Sequence, residues 1–310
     1  MSLSAAALGV LVGYAAATRD WRPVLTGVFL ALATFFAGLL WTGLGSCRRN
    51  SSADTIGWRL ARAGILAALR PAMRAVLSAR ETPGPDGPAR LLPHEIEALS
   101  ARVEPMAVRL REHAALADLP GIGNRLMVEL AVFTAAAYRV LLDAGWTAEA
   151  ARSALADAGW LLYSRMLALS SMPFRLTTRD PAKRLRRTIR TLLRFPFDAP
   201  GAPGYEVHVS EDASGISTHF THCPPQTFVR TLARSDDRGD LEAFRQSWCR
   251  YDWPGADLIA GDGRRGHYSR LRTLSHGDAV CDMCWRGEVG VRSEDRTRTD
   301  DGLADGRGTQ

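Results

Sequence analysis

The spacing of apolar residues changes once along this 310-residue chain, and that change restricts the possible folds more than any other feature. Before residue 195, apolar positions recur every three or four residues, which is the period of a helix packed on one face. After the proline- and glycine-rich stretch 195–204, they alternate with period two, as in half-buried strands. The sequence therefore predicts an α+β fold, in which a helical region precedes a small antiparallel sheet with further helices.

The helical region divides into several predicted segments. The first helix, 54–80, carries one apolar stripe formed by Ile65, Leu69, Met73 and Leu77. Three prolines and two glycines then predict a linker over 81–89. Further helices are predicted over 93–116, 124–144, 147–169 and the arginine-rich 180–194. Beyond residue 204 the pattern predicts strands over 205–211, 216–222, 267–275 and 280–286, and helices over 224–233 and 240–249.

The amino-terminal end predicts a membrane anchor over 1–49. Residues 24–45 contain no charged side chain and are long enough to cross about 30 Å of hydrocarbon as a helix. The shorter apolar stretch 3–18 is a candidate first arm of a helical hairpin. Arg48 and Arg49 follow the longer stretch, so the positive-inside rule places the rest of the chain in the cytoplasm, at the cell membrane and in contact with membrane lipid.

The predicted domains after the anchor are three: 50–90 as helix and linker, 91–287 as an α+β domain, and 288–310 as a disordered tail with few apolar residues. The net charge of +6 comes almost entirely from arginine, and Lys183 is the single lysine. We attribute this bias to genomic composition and expect no nucleic-acid partner. Five cysteines are an odd number, and they show no even disulfide framework.

The residues best suited to chemistry lie in the last third of the chain. Three cysteines recur there, and two of them have an aspartate nearby: Cys223, Cys249 with Asp252, and Cys281 with Asp282. A thiolate is a nucleophile and a metal ligand, and a neighbouring carboxylate can move protons. We therefore expect the functional site of this chain to be in this segment.

Two histidines are predicted to face each other across a β-hairpin. If residues 212–215 form its turn, Glu211 pairs with Ile216 and His208 lies opposite His219, about 5 Å away. Cys223 has the same strand parity as His219. Either two imidazoles and a thiol converge on one face, or this face is simply polar and solvated.

The two cysteine–aspartate pairs are interpreted from the geometry of a helix and of a strand. On a helix, Cys249 and Asp252 share a face, although Cys249 could instead pack as an apolar residue while Asp252 helps to end the helix. In a strand, Cys281 and Asp282 point to opposite sides of the sheet. With Cys284, the four carboxy-terminal thiols would suffice for a tetrahedral zinc site, but the single C-x-x-C pair makes us expect no metal and no cofactor.

The segment 205–286 resembles the L-2-amino-thiazoline-4-carboxylic acid hydrolase family. The resemblance rests on the order and spacing of three pieces: Cys223-Pro224, Cys249 with Asp252, and Arg270-x-x-Thr273-Leu274-x-x-Gly277-x-x-x-Cys281-Asp282. Two positions depart from the family pattern. Met283 stands where the family commonly has phenylalanine, and Cys284 is not part of the pattern.

This resemblance implies a hydrolase of the C–N bond class that opens a small sulfur- and nitrogen-containing ring to an N-carbamoyl-cysteine-type product. Two catalytic routes are open. Cys223 or Cys281 attacks as a thiolate, or Asp252 or Asp282 activates water while a histidine such as His219 moves the proton. The implied catalytic residues also include Cys249. The implied substrate-binding residues are Arg270 (or Arg272), whose guanidinium suits a carboxylate, together with Thr273 and His208.

Two other functions compete with a hydrolase at this stage. The chain could be a non-catalytic protein that binds or senses a small molecule, or a metal or redox module built on the four carboxy-terminal cysteines. We expect a small-molecule ligand if the chain is a binding or sensing protein, and a small-molecule substrate if it is a hydrolase. The sequence does not predict an oligomeric state.

Overall fold

The computed structural model describes residues 56–84 and 87–287. The chain divides into two units between Ala61 and Arg62, within the first helix, and the second unit holds all the other helices and strands that the structure describes. The helices, in chain order, are α1 (Ile56–Ser78), α2 (Pro93–Arg111), α3 (Ile122–Asp143), α4 (Ala148–Thr177), α5 (Pro181–Arg194), α6 (Pro224–Ser235), α7 (Asp240–Gln246) and α8 (Asp252–Ala260). Short 3₁₀ turns lie at Leu116–Asp118, Trp248–Arg250 and Leu274–His276.

The predicted helices are present, with shifted ends. The predicted stripe of α1 is buried at all four of its positions, as its four-residue spacing requires. Helix α4 continues past its predicted end at residue 169 and runs through Pro173 to Thr177. The segment predicted as a linker forms two short antiparallel strands, β1 (Glu81–Gly84) and β2 (Gly87–Arg90).

A four-stranded antiparallel sheet forms the β part of the fold. Its strands are β3 (Glu206–Glu211), β4 (Gly215–His222), β5 (Tyr268–Arg270) and β6 (Cys281–Arg286), in the order β3-β4-β6-β5. The hairpin register is the predicted one: Glu211 pairs with Ile216, and His208 pairs with His219. The last strand in sequence is therefore an interior strand of the sheet.

Among residues 56–84 and 87–287, helices pack on one face of this sheet and not on the other. Ile216, Phe220, Cys281 and Trp285 are buried on the inner face, where α5 contacts β4 and β6. Burying each large apolar side chain contributes about 1.5–3 kcal/mol, so the alternation along β4 and β6 fixes which face turns inward. The sheet thus closes over a core of helices.

A buried ion pair ties α3 to α7. Arg139 donates to both carboxylate oxygens of Asp240, at 3.0 Å from Nε to Oδ1 and 2.7 Å from Nη2 to Oδ2. Its Nη1 also reaches Oδ2 of Asp236 at 3.0 Å, and its Nη2 reaches the Asp236 backbone oxygen at 2.9 Å. The Asp240 side chain is 0% exposed. A carboxylate this deeply buried requires such a fork of donors.

The predicted fold class needs one correction, which concerns the membrane helix. Across residues 56–84 and 87–287, no helix has both the length and the apolar character needed to cross a membrane. The long helices carry charges within their apolar stretches, as α3 does with Glu129 and Arg139. The predicted spans 3–18 and 24–45 lie outside the described residues. The described fold is α+β without a membrane helix, and it does not support the predicted place at the cell membrane.

The region 240–276 differs most from its predicted structure. A helix was predicted to continue from Asp240 through Cys249, but α7 ends at Gln246 because Ser247 leaves helical geometry, with φ −102° and ψ −92°. A 3₁₀ turn and the unpredicted helix α8 follow. The strand predicted over 267–275 stops at Arg270, because the next two backbone N–H groups bond to the Asp282 side chain instead of a strand.

Candidate functional site

A cavity of about 120 Å³ lies between the inner face of the sheet and the helices. This volume accommodates several water molecules or one small organic molecule. Most of its lining is apolar, with Leu167, Ile189, Leu193, Phe220, Phe244 and Trp285 among the lining residues. A concave, largely apolar cavity with a few polar groups is typical of a small-molecule site.

Five of the residues predicted from sequence line this cavity: Cys223, Cys249, Asp252, Arg270 and Cys281. Different elements bring them together. Cys223 is the residue before α6, Cys249 is in the 3₁₀ turn, and Asp252 begins α8. Arg270 ends β5 and Cys281 begins β6. The cavity is therefore assembled from segments almost sixty residues apart in sequence.

Asp252 is the acidic group of the cavity. Its Oδ2 accepts hydrogen bonds from the Tyr268 hydroxyl and from Arg270 Nη1, both at 3.3 Å, while its Oδ1 accepts none from the described residues. Burial raises the pKa of Asp252 to about 6, against the opposing effects of Arg270 and Tyr268. The carboxylate is thus largely ionised at neutral pH, yet basic enough to accept a proton.

Arg270 is held by several contacts at once. Beside its bond to Asp252, its Nη2 donates to the backbone oxygen of Cys249 at 2.5 Å. Its guanidinium carbon lies 4.7 Å from the centre of the Trp253 ring, in a cation–π arrangement. Both terminal nitrogens of Arg270 therefore have protein partners, and the guanidinium balances the charge of Asp252.

The three thiols of the cavity are protonated at neutral pH. Burial raises the pKa of Cys223 well above its ordinary value and that of Cys249 to about 11. It also raises the pKa of Cys281, although the Thr273 hydroxyl (3.3 Å from its sulfur) and the Leu274 N–H (3.2 Å) partly offset this. Cys249 contacts the Ser275 hydroxyl at 3.2 Å. The structure does not provide a ready thiolate nucleophile among these three residues.

Four of the predicted site residues do not line the cavity. Thr273 forms a hydrogen bond with Cys281, which does line the cavity. His208, His219 and Asp282 are on the outer face of the sheet, because Phe220 and Cys281, next to them in β4 and β6, point inward. The expected convergence of the two histidines with Cys223 therefore does not occur, since His208 and His219 are exposed whereas Cys223 turns into the cavity.

Asp282 has a structural position. Its Oδ1 accepts the backbone N–H groups of Leu271 (3.0 Å) and Arg272 (2.7 Å), and its Oδ2 accepts Arg272 Nε at 3.1 Å. Burial alone would raise the pKa of Asp282, but these hydrogen bonds outweigh it and lower the pKa below its ordinary value. Asp282 thus anchors the segment that leaves β5 and is a poor base. Arg272, the alternative residue for binding the substrate carboxylate, instead pairs with Asp282.

Sequence reasoning missed two tyrosines that line the cavity. Tyr163 comes from α4 and Tyr205 precedes β3. Tyr163 stacks on Tyr251 with 5.4 Å between ring centres, and Tyr205 contacts Phe220 edge-on at 5.8 Å. The sequence feature that could have identified them is a hydroxyl-bearing side chain at a position where the pattern requires an apolar one.

The four carboxy-terminal cysteines do not form one cluster. Cys284 is on the outer face of β6, where its sulfur lies 3.5 Å from the Ser217 hydroxyl, opposite to Cys281. Within the described part of the chain, no three or more His, Cys, Asp or Glu side chains are grouped so as to hold a metal ion. This placement disfavours a site that uses all four thiols.

Comparison with known proteins adds no relative: no protein-family model, no curated protein and no solved structure matches this chain. The resemblance to the aminothiazoline carboxylate hydrolases therefore stays a prediction. The interpretation of the cavity rests on its own residues.

Proposed function

We propose that this chain is a hydrolase that opens a small sulfur- and nitrogen-containing ring, such as that of 2-aminothiazoline-4-carboxylate. The observation that carries the proposal is Asp252, a carboxylate with a raised pKa that lines an otherwise mostly apolar cavity. A general base works best when its pKa lies near the working pH, and a value of about 6 meets that requirement.

The size and charge of the cavity support a small, nearly neutral substrate. A volume of about 120 Å³ suits a five-membered ring with short substituents. The ionised Asp252 and Arg270 cancel each other, so a ligand with no net charge meets the smallest desolvation cost. An aminothiazoline carboxylate, with a protonated amidine and an ionised carboxylate, is such a ligand. Its apolar ring sulfur matches the apolar walls.

The proposed reaction begins with water held between Asp252 Oδ1 and carbon 2 of the ring. Asp252 takes one proton as the water oxygen bonds to carbon 2, which gives a tetrahedral intermediate. The bond from carbon 2 to the ring sulfur then breaks, and the sulfur keeps the electron pair and takes the proton from Asp252. The remaining hydroxyl proton on carbon 2 is released to solvent as the urea carbonyl forms. The product is an N-carbamoyl cysteine with a free thiol.

The bonds retained in the product determine which ring bond must break. An N-carbamoyl product retains both carbon–nitrogen bonds and requires cleavage of the carbon–sulfur bond. Cleavage of the ring carbon–nitrogen bond, the class expected from the resemblance, would give the S-carbamoyl isomer and a free amine. The two products have equal mass, so a thiol-specific reagent is needed to tell them apart.

The water route is better supported than the thiolate route. Burial raises the pKa values of Cys223, Cys249 and Cys281, so a thiolate would have to be generated at a cost during each turnover. Asp252 is already ionised at neutral pH. Of the two aspartates proposed from sequence, Asp252 lines the cavity and Asp282 faces away, which leaves Asp252 as the base.

The test is turnover of L-2-aminothiazoline-4-carboxylate by the full chain, followed by mass spectrometry and by thiol release. We expect Asp252→Asn to lower kcat/KM by about 10²–10⁴-fold, because it removes the base. The matched control is Asp282→Asn, which alters an aspartate outside the cavity and should lower kcat/KM by less than about tenfold. Below pH 6, wild-type kcat/KM should fall about tenfold per pH unit as Asp252 becomes protonated.

Other outcomes would redirect the proposal. Equal loss in the two aspartate variants would remove Asp252 from its special role. If the chain binds the thiazoline but does not open the ring, and Asp252→Asn leaves the affinity unchanged, the protein is a binder on this fold and the hydrolase proposal fails.

A further inference from the structure

Two hydroxyl groups in the cavity have no hydrogen-bond partner among the described residues: those of Tyr163 and Tyr205. The two side chains are only 9% and 3% exposed, respectively. A partnerless oxygen fully enclosed by protein is found at neither tyrosine. Part of the small exposed surface of each side chain is therefore its hydroxyl, at the cavity. Both hydroxyls are therefore available to a molecule inside it.

The other buried tyrosines of this unit show that such hydroxyls are normally satisfied. Tyr138 donates to the Arg238 backbone oxygen at 3.0 Å, Tyr251 to that of Ala156 at 2.7 Å, and Tyr268 to Asp252. A buried hydroxyl without a partner costs about 1–3 kcal/mol. Phenylalanine would fill the ring positions of Tyr163 and Tyr205 without this cost, so packing alone does not account for the two hydroxyls.

Both hydroxyls are protonated at neutral pH and can act as donors. Burial raises the pKa of Tyr205 well above its ordinary value, and the negative charge of Asp252 adds to this effect. Burial likewise raises the pKa of Tyr163, followed by the effect of Asp252. A protonated phenol in an apolar cavity forms its strongest hydrogen bond with an anionic oxygen.

The arginine expected to hold the substrate carboxylate is already engaged. Arg270 bonds to Asp252 and to the Cys249 backbone oxygen, and it stacks on Trp253. Taking it away from Asp252 would leave that buried carboxylate without its counter-charge, which is costly. A ligand carboxylate therefore needs other donors, and the partnerless hydroxyls of the cavity are suited to this role.

We propose that the hydroxyls of Tyr163 and Tyr205 form a carboxylate-binding subsite in the cavity. This inference rests on the proposed function, because it concerns how the same cavity orients a heterocyclic carboxylate. Two phenols, one from α4 and one from the residue before β3, hold one end of the ligand while Asp252 acts at the other. The subsite selects substrates that carry a carboxylate over the bare ring.

The test compares two ligands, L-2-aminothiazoline-4-carboxylate and 2-amino-2-thiazoline, which lacks the carboxylate. Dissociation constants are measured by calorimetry with the full chain carrying Asp252→Asn, so that turnover does not interfere. We expect Tyr205→Phe and Tyr163→Phe each to weaken binding of the carboxylate ligand by about tenfold or more. Binding of 2-amino-2-thiazoline should change less than about twofold.

Tyr251→Phe is the matched control, since it removes a buried hydroxyl whose partner is the backbone of α4 and should leave both dissociation constants unchanged. Equal weakening of both ligands, or no weakening of either, in the Tyr163 and Tyr205 variants overturns the carboxylate subsite and leaves the hydrolase proposal intact. If neither ligand binds the chain with or without Asp252→Asn, and no ring opening occurs, both proposals fail together.

Discussion

Two buried arginine–aspartate pairs in this protein have the same chemistry and different surroundings. Arg139 and Asp240 meet through a fork of short bonds at 2.7–3.2 Å, and Asp236 takes up further donors of the same arginine. Arg270 and Asp252 meet through one bond of 3.3 Å, and the Asp252 side chain is 18% exposed, against 0% for Asp240. One carboxylate is saturated with donors, and the other keeps an oxygen available.

The difference separates a structural pair from a chemical one. A saturated pair can only hold two helices together, since both oxygens of Asp240 already accept from Arg139 and the side chain is fully buried. In the Asp252 pair, one carboxylate oxygen has no protein donor in the described part of the chain, so the buried carboxylate is incompletely solvated. This incomplete solvation raises the pKa of Asp252. The number of hydrogen bonds per carboxylate, more than burial or charge, identifies the aspartate that can act as a base.

The largest expected effect is on the saturated pair. Asp240→Asn should lower the free energy of unfolding by about 3 kcal/mol, because it leaves Arg139 buried with an incomplete partner. Turnover per folded molecule should not change, since Asp240 does not line the cavity. Chemical denaturation and active-site titration measure the two quantities. Loss of turnover without loss of stability would erase the distinction between the pairs.

The same substitution at the open pair should act in the opposite direction. The folded state holds the Asp252 proton more tightly than the unfolded state, with a pKa of about 6 against 3.8, so stability falls as pH rises between these values. Asp252→Asn removes this dependence and should raise the free energy of unfolding by roughly 1–3 kcal/mol at pH 7.5. Melting curves at pH 7.5 and pH 3.5 test it, and a gain that persists at pH 3.5 would contradict this origin.

A smaller effect is expected when the arginine of the open pair is changed. Arg270→Met removes the charge that lowers the Asp252 pKa, so the acid limb of the kcat/KM profile should move upward by about one pH unit. Arg139→Met serves as the comparison and should leave the limb in place, even if the protein is less stable. Coincident profiles for wild type and Arg270→Met would show that the limb belongs to another group.

The smallest effect concerns the thiols near the open pair. Because the pKa of Cys249 is raised to about 11, its alkylation by iodoacetamide should be slow at pH 7.5 and should accelerate about tenfold per pH unit up to pH 10. Peptide mass spectrometry of briefly treated protein measures the rate, with glutathione as the reference thiol. Alkylation of Cys249 faster than that of glutathione at pH 7.5 would restore the thiolate route.

The parts of the fold that follow from local periodicity were predictable. The α1 stripe and the His208–His219 pairing depend on spacing and on one turn, and both are confirmed. The 3₁₀ turn and α8, which follow Gln246, were not predictable, because a single non-helical residue, Ser247, redirects the chain and creates the start of α8 at Asp252. Local pattern does not encode such a change of direction.

The site was predictable in part, for a related reason. Residue type indicated Asp252 and the three thiols, but strand parity alone could not say which face of the sheet the helices cover. That choice places Asp282 outside and Cys281 inside. Tyr163 and Tyr205 were missed because a tyrosine in an apolar pattern looks like an ordinary core residue until the partner of its hydroxyl is known.

The position of β6 has a consequence for biosynthesis. This strand is the last of the sheet to leave the ribosome, yet it lies between β4 and β5 and supplies Cys281, Met283 and Trp285 to the cavity wall. Until residues 281–286 have emerged, β5 has no neighbour to pair with and the helices face an open groove. Until then the nascent chain carries an exposed apolar surface, and one short strand completes the cavity wall at the end of synthesis.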